Sequence, residues 1–135
     1  MTGEVPVKYM IMTFGDESAW DTLGLGGREA TWSQEQIDAH FQAMGEFYGE
    51  LAANGELVTG FGLADPSHTM TIEIVDGRPV ASDGPYAEAK EVLAGFGIID
   101  VESHDRAVEL AARFSALVET RVELRPVMDQ GGQEM

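Results

Sequence analysis

"VLAGFGIIDVESHDRAVELAARFSALVETRVELRP", residues 92–126, contains a complete strand–helix–strand unit. Residues 92–101 form an apolar run broken by two glycines, the pattern of a strand inside a sheet. Ser103 stands where a helix N-cap accepts from the first free amides. Ala107, Leu110, Ala111, Phe114 and Leu117 then recur at three- and four-residue spacing, one apolar stripe on one helix face. The closing stretch "RVELRPVM" (121–128) reads as the last strand, and Pro126 suits an edge position or the end of pairing.

The same order occurs once before. Residues 7–14, "VKYMIMTF", place Tyr9 and Ile11 on one face and Met10 and Met12 on the other, which predicts a central strand covered on both sides. Ser33 and Gln36 have the spacing of a capping box. The stripe Ile37, Phe41, Met44, Tyr48 and Leu51 follows, and Asn54-Gly55 ends the helix. Residues 57–63, "LVTGFGL", read as the returning strand. Between the two units lies "TMTIEIVDGRPVAS" (69–82), an alternating strand with Met70, Ile72 and Ile74 inward, an Asp-Gly turn and a short return. Two helices with one stripe each, and strands to receive them, predict an α+β ferredoxin-like sandwich with an inserted β-hairpin and both helices on one face. Residues 1–128 make one domain and 129–135 a mobile C-terminal tail.

Composition limits the partners. Eight Lys and Arg stand against 24 Asp and Glu, a formal net charge of −16. So acidic a surface opposes direct nucleic-acid binding, which rests on neutralising phosphates, and opposes anionic membranes for the same reason. The chain has no cysteine, so disulfides and thiolate chemistry are excluded. It has no secretory signal pattern and no apolar run long enough to span a bilayer, so a cytoplasmic protein is expected. No phosphate loop, dinucleotide fingerprint or nucleophile elbow occurs, and the histidines His40, His68 and His104 match no metal spacing. No cofactor or metal is expected.

Two features point to a site. Gly-Phe-Gly occurs at 60–62 and again at 95–97, in strands that neighbour each other in this fold. Alternation puts Gly60, Gly62, Gly95 and Gly97 together on one face. The expectation is that Phe61 and Phe96 pack under the helices, leaving a shallow glycine floor on the open face for a ligand or a second subunit. Relief of crowding is the competing reading. An apolar sheet face without helices calls for a homodimer that stacks these faces.

The second feature is the corner "SDGPYAEAKE" (82–91). Asp83 can accept from amides that follow, Gly84 can take a positive φ and Pro85 fixes the next residue, so the turn is stiff and aims Tyr86. Lys90, one of only two lysines, stands ready to neutralise an anionic substrate. Asp83, Tyr86 and Lys90 are the candidate catalytic residues. Asp65 and His68 form a candidate acid–base pair beside the glycine floor. The plainer reading makes Asp83 a turn residue, Tyr86 a packing residue and Lys90 a surface ion pair. In the long connection 15–33, Trp20 and Trp32 either anchor the loop to the core or belong to a lid hinged at Gly24–Gly27.

The chain resembles the YCII-related family, in particular the subgroup named for its Asp-Gly-Pro-Phe (DGPF) motif. The likeness rests on "KYMIMTFGDESAW" (8–20), "LAANGELVTGFGL" (51–63), "DGPYAEAKEVLAGFGIIDV" (83–101) and "VELRPVM" (122–128), with Tyr86 in place of the motif's Phe. The resemblance implies a ferredoxin-like fold that dimerises into an α+β barrel. In the family's other branch a His–Asp pair lies in the pocket, the His on the first helix. Here His40 falls about one turn too early and Met44 nearer the expected place, so a His-dependent enzyme is not implied. Relatives fused to sigma-factor-like domains imply a link to transcription control. The leading expectation is a small-molecule-binding domain, with or without acid–base turnover of a small anionic ligand. The alternative is a non-catalytic sensory or protein-interaction module tied to transcription.

Overall fold

The computed structural model describes residues 7–15, 33–64, 66–84 and 91–128. Trp20, Trp32, Asp65, Tyr86, Lys90 and the tail 129–135 lie outside the described residues, so the expectations placed on them have no structural counterpart here. The elements run β1 (Val7–Gly15), α1 (Gln34–Ala53), β2 (Leu57–Gly62), a single 3₁₀ turn at Pro66–His68, β3 (Met70–Val75), β4 (Arg78–Asp83), β5 (Val92–Val101), α2 (His104–Val118) and β6 (Val122–Pro126). Four strands pair in the order β2-β5-β1-β6, every pairing antiparallel, and β3 pairs only with β4. This mixed α+β arrangement of two helices on an antiparallel sheet is consistent with a ferredoxin-like fold.

Local chemistry sets the element ends. Ser33 Oγ accepts from Gln36 N at 3.2 Å while the Gln36 side chain accepts from Ser33 N at 2.8 Å, the reciprocal capping box of α1. Ser103 Oγ accepts from Arg106 N at 3.1 Å and opens α2. Gly55 follows α1 at φ 83°, and the β3–β4 turn holds Asp76 at φ 51° and Gly77 at φ 78°. Two successive left-handed residues match the strand twist of a tight hairpin, which is why Asp-Gly works there. Helix α2 ends differently, on Glu119 at φ 55°, a conformation that costs a side-chain-bearing residue more than glycine.

The core lies between the helices and one face of the sheet. Tyr9 and Ile11 of β1 and Ile99 and Val101 of β5 meet Phe47 and Leu51 of α1 and Ala107, Leu110, Ala111 and Phe114 of α2. Leu51 and Leu110 are fully buried, each contributing on the order of 1.5–3 kcal/mol of transfer free energy. Phe47 stacks 5.8 Å from Phe114 and joins the helices. Phe47 was absent from the expected α1 stripe, whereas Phe41, which was in it, is exposed. The helix turns its C-terminal half, not its whole length, onto the sheet.

Charged side chains tie the outer surface of this layer. Arg106 donates from Nε and Nη2 to the two oxygens of Glu56, both at 2.8 Å, joining α2 to the start of β2. Arg113 pairs with Glu50 across the helices, its guanidinium 5.1 Å from the Phe47 ring centre. Among the described residues no helix is long and apolar enough to cross a membrane.

Candidate functional site: the open sheet face and the Asp83 corner

Register decides which face the glycines occupy. Gly97 lies opposite Ile11 and Gly95 opposite Thr13, while Gly60 pairs with Gly97 and Gly62 with Gly95. Residues opposite one another in an antiparallel pair share a face. The glycine rows therefore share the face of buried Ile11, beneath α1. Two further facts agree. A Cβ on Gly60 would sit 3.5 Å from Cε1 of Tyr48, and Gly97 lines an apolar cleft together with Phe47, Tyr48, Leu51 and Phe114.

The expected glycine floor on the open face is thus corrected: Gly60, Gly62, Gly95 and Gly97 lie on the opposite side. The physical reason is volume. At Gly60 a Cβ already reaches van der Waals contact with the Tyr48 ring at 3.5 Å, so a larger side chain there would collide with it. Gly95 is tightest, since a Cβ there would lie 3.1 Å from the Phe61 carbonyl oxygen. Burial in the same cleft pushes the Tyr48 hydroxyl pKa up.

The open face consequently carries what was expected under the helices. Phe61 is 64% exposed, and its ring centre lies 6.1 Å from that of half-buried Phe96. Beside them in register run Met12 opposite Phe96, and Met10 opposite Ile98. The face is therefore an apolar, aromatic surface with no helix over it among the described residues. On strand β1, Met10 and Met12 are half-buried where full cover was expected.

Charges on this face are balanced, unlike those of the chain. Lys8 lies opposite Asp100, Met10 opposite Arg125 and Met12 opposite Glu123. At the sheet end Arg121 pairs with Glu91 at 2.6 Å, and its guanidinium lies 5.8 Å from the Phe14 ring centre. Lys8, Arg121 and Arg125 thus offset Asp100, Glu91 and Glu123, within a protein of net charge −16. Lys8 and Arg125 make no ion pair among the described residues.

Asp83, the last residue of β4, is exposed, and Gly84 takes φ 91° as the corner requires. Gly84 N donates to Thr69 O at 2.7 Å, and Thr71 Oγ1 donates to Gly84 O at 2.8 Å. The corner and the foot of the hairpin are one hydrogen-bonded unit. His68 is exposed at the end of the 3₁₀ turn. His104 accompanies the opposite end of the sheet, its Nδ1 3.3 Å from the Tyr9 hydroxyl. Among the described residues no group of His, Asp and Glu could hold a metal ion.

The hairpin corrects a further expectation. Met70, Ile72 and Ile74 are 57%, 66% and 69% exposed instead of inward. β3 and β4 pack on each other and, among the described residues, on no other element to a substantial extent.

Comparison with known proteins shows the family. The YCII-related domain model matches residues 7–130, and the chain belongs to that family. It is also similar to an uncharacterized protein of Rhizobium meliloti (strain 1021), 27% identical over 107 residues that cover 79% of each chain. Sequence reasoning missed Phe61, Phe96, Met10, Met12 and Arg125 as the open-face group. The alternation put Met10 with Met12 and set Phe61 and Phe96 opposite their flanking glycines, but nothing in it said which face the helices take.

Proposed function

We propose that this protein, a member of the family's DGPF subgroup, is a cytoplasmic homodimer that stacks two open sheet faces into an α+β barrel. It binds a small anionic molecule between that face and the 83–91 corner. The carrying observation is the surface of Met10, Met12, Phe61, Phe96 and Ile98, free of helices among the described residues and neutral in sum on a strongly acidic chain. Like charges repel two copies over the rest of their surface, so the neutral apolar face is where a twofold contact costs least. In this reading Asp83 and Tyr86 shape one wall, Lys90 neutralises the ligand, and Asp65 and His68 flank the entrance. Lys8 and Arg125, without ion pairs among the described residues, supply further positive charge for an anion. The glycines serve packing under α1.

Sedimentation velocity and a thermal-shift screen against small carboxylic acids test it. The expected results are a dimer at micromolar concentration, a monomeric Met12→Asp variant, and ligand stabilisation that falls in Lys90→Ala and Tyr86→Phe. A monomeric wild type refutes the barrel. Stabilisation unchanged in both corner variants removes those residues from the site.

A further inference from the structure

We infer that the β3–β4 hairpin is a dimerisation arm whose Met70, Ile72 and Ile74 face packs on the second copy of this chain. The inference rests on the homodimer reading and deepens it. By register Met70, Ile72 and Ile74 share a face with Pro79, Ala81 and Asp83, so one side of the ribbon is apolar apart from the acid at its foot. A two-stranded ribbon is marginal in water without a surface to lie on, and among the described residues this one packs substantially on none. The exposed isoleucines and methionine have no substantial cover among the described residues.

Area and charge identify the cover. Strand spacing and rise give the four-stranded sheet, with about 30 strand residues, a flat footprint of roughly 480 Å². A standard interface takes about 800 Å² from each partner. The apolar side of the hairpin adds roughly 190 Å² by the same geometry and brings the contact toward that size. The hairpin is inserted between the end of β2 and the start of β5, the paired strand ends that carry Phe61 and Phe96. Its apolar side carries no like charge beyond Asp83 to repel an acidic second copy. Because Gly84 is bonded to Thr69 and Thr71, seating the arm also holds Asp83 and Gly84 at the foot of the hairpin.

Hydrogen–deuterium exchange of the full chain at concentrations below and above the dimer dissociation constant tests this, with Ile72→Asp and Met12→Asp compared by sedimentation. Backbone amides of 70–75 and 78–83 should gain at least about tenfold protection as dimer forms. Ile72→Asp should weaken the dimer by at least about tenfold, since a twofold contact uses the residue twice. Residue 72 is exposed in the protomer, so folding is retained, and the wild-type exchange result stands without the variant. If Met12→Asp is monomeric while Ile72→Asp dimerises as tightly as wild type and hairpin exchange ignores concentration, the arm is refuted and the barrel reading survives. A wild type that is monomeric throughout refutes both.

Discussion

Replacing glycines one at a time along β2 and β5 tests which way the sheet faces. A methyl group at Gly60 meets Tyr48 Cε1 and the Phe96 carbonyl at 3.5 Å, ordinary contact distances. Gly60→Ala should therefore be neutral, or stabilising by up to about 0.5–1 kcal/mol, the entropic cost of glycine in a strand. Gly60→Val pushes two further carbons into the space the Tyr48 ring occupies and should cost about 1–3 kcal/mol, the usual penalty of overpacking. At Gly95 even the methyl is crowded, 3.1 Å from a backbone oxygen that moves only if the β2–β5 ladder moves, so Gly95→Ala should lose about 1 kcal/mol or more. Gly62 has open space above it, and Gly62→Val should be tolerated. Urea denaturation followed by circular dichroism, at a protein concentration held fixed to keep the oligomeric state constant, reads all four. Equal stability of Gly60→Val and Gly60→Ala would place the glycine away from α1, and the assignment of the open face would collapse with it.

Other consequences are as direct. Leu110→Ala removes a fully buried side chain and should cost about 2–5 kcal/mol in the same assay, whereas Phe41→Ala, half exposed, should cost well under half of that. Glu119→Gly relieves a left-handed residue at the end of α2 and should stabilise by up to about 1 kcal/mol, seen as a raised Tm. The Arg106 guanidinium holds the Glu56 carboxyl below its ordinary value of 4.5. A depressed folded pKa contributes stability that is whole above the unfolded value and lost as pH falls through the folded one. Stability should therefore drop below pH 4.5, and Glu56→Gln should remove part of that slope while costing about 1–2 kcal/mol at neutral pH, measured by denaturation across pH 3–7.

Much of the fold was legible because it is written in local periodicity. Ser33, Ser103, Asn54-Gly55 and Asp76-Gly77 mark element ends through backbone chemistry that acts within a few residues. The strand order followed from connectivity and from the need of each helix stripe for a sheet. The side on which Gly60 and Gly97 lie was not legible, because alternation is symmetric and a strand with Phe on one face and Gly on the other admits both answers. The Phe47–Tyr48 pair on α1 settles it, and that contact joins residues far apart in sequence. Ile72 and Ile74 misled for a related reason. An apolar alternation states that a face will be covered, not that the same chain covers it.

Strand β2 has one further consequence. Among the described residues it stands at the rim of the sheet and pairs only with β5, and it carries no charged residue between Leu57 and Gly62, while Val58 and Phe61 are exposed. A bare hydrogen-bonding edge of this kind recruits other strands unless something keeps them away. The opposite rim, β6, is blunted by Glu123, Arg125 and Pro126. For β2 the guard is long-range repulsion between acidic molecules, which vanishes as the solution approaches the isoelectric point near 4.2. Turbidity should therefore rise there first, and a lysine at Thr59 should keep the solution clear.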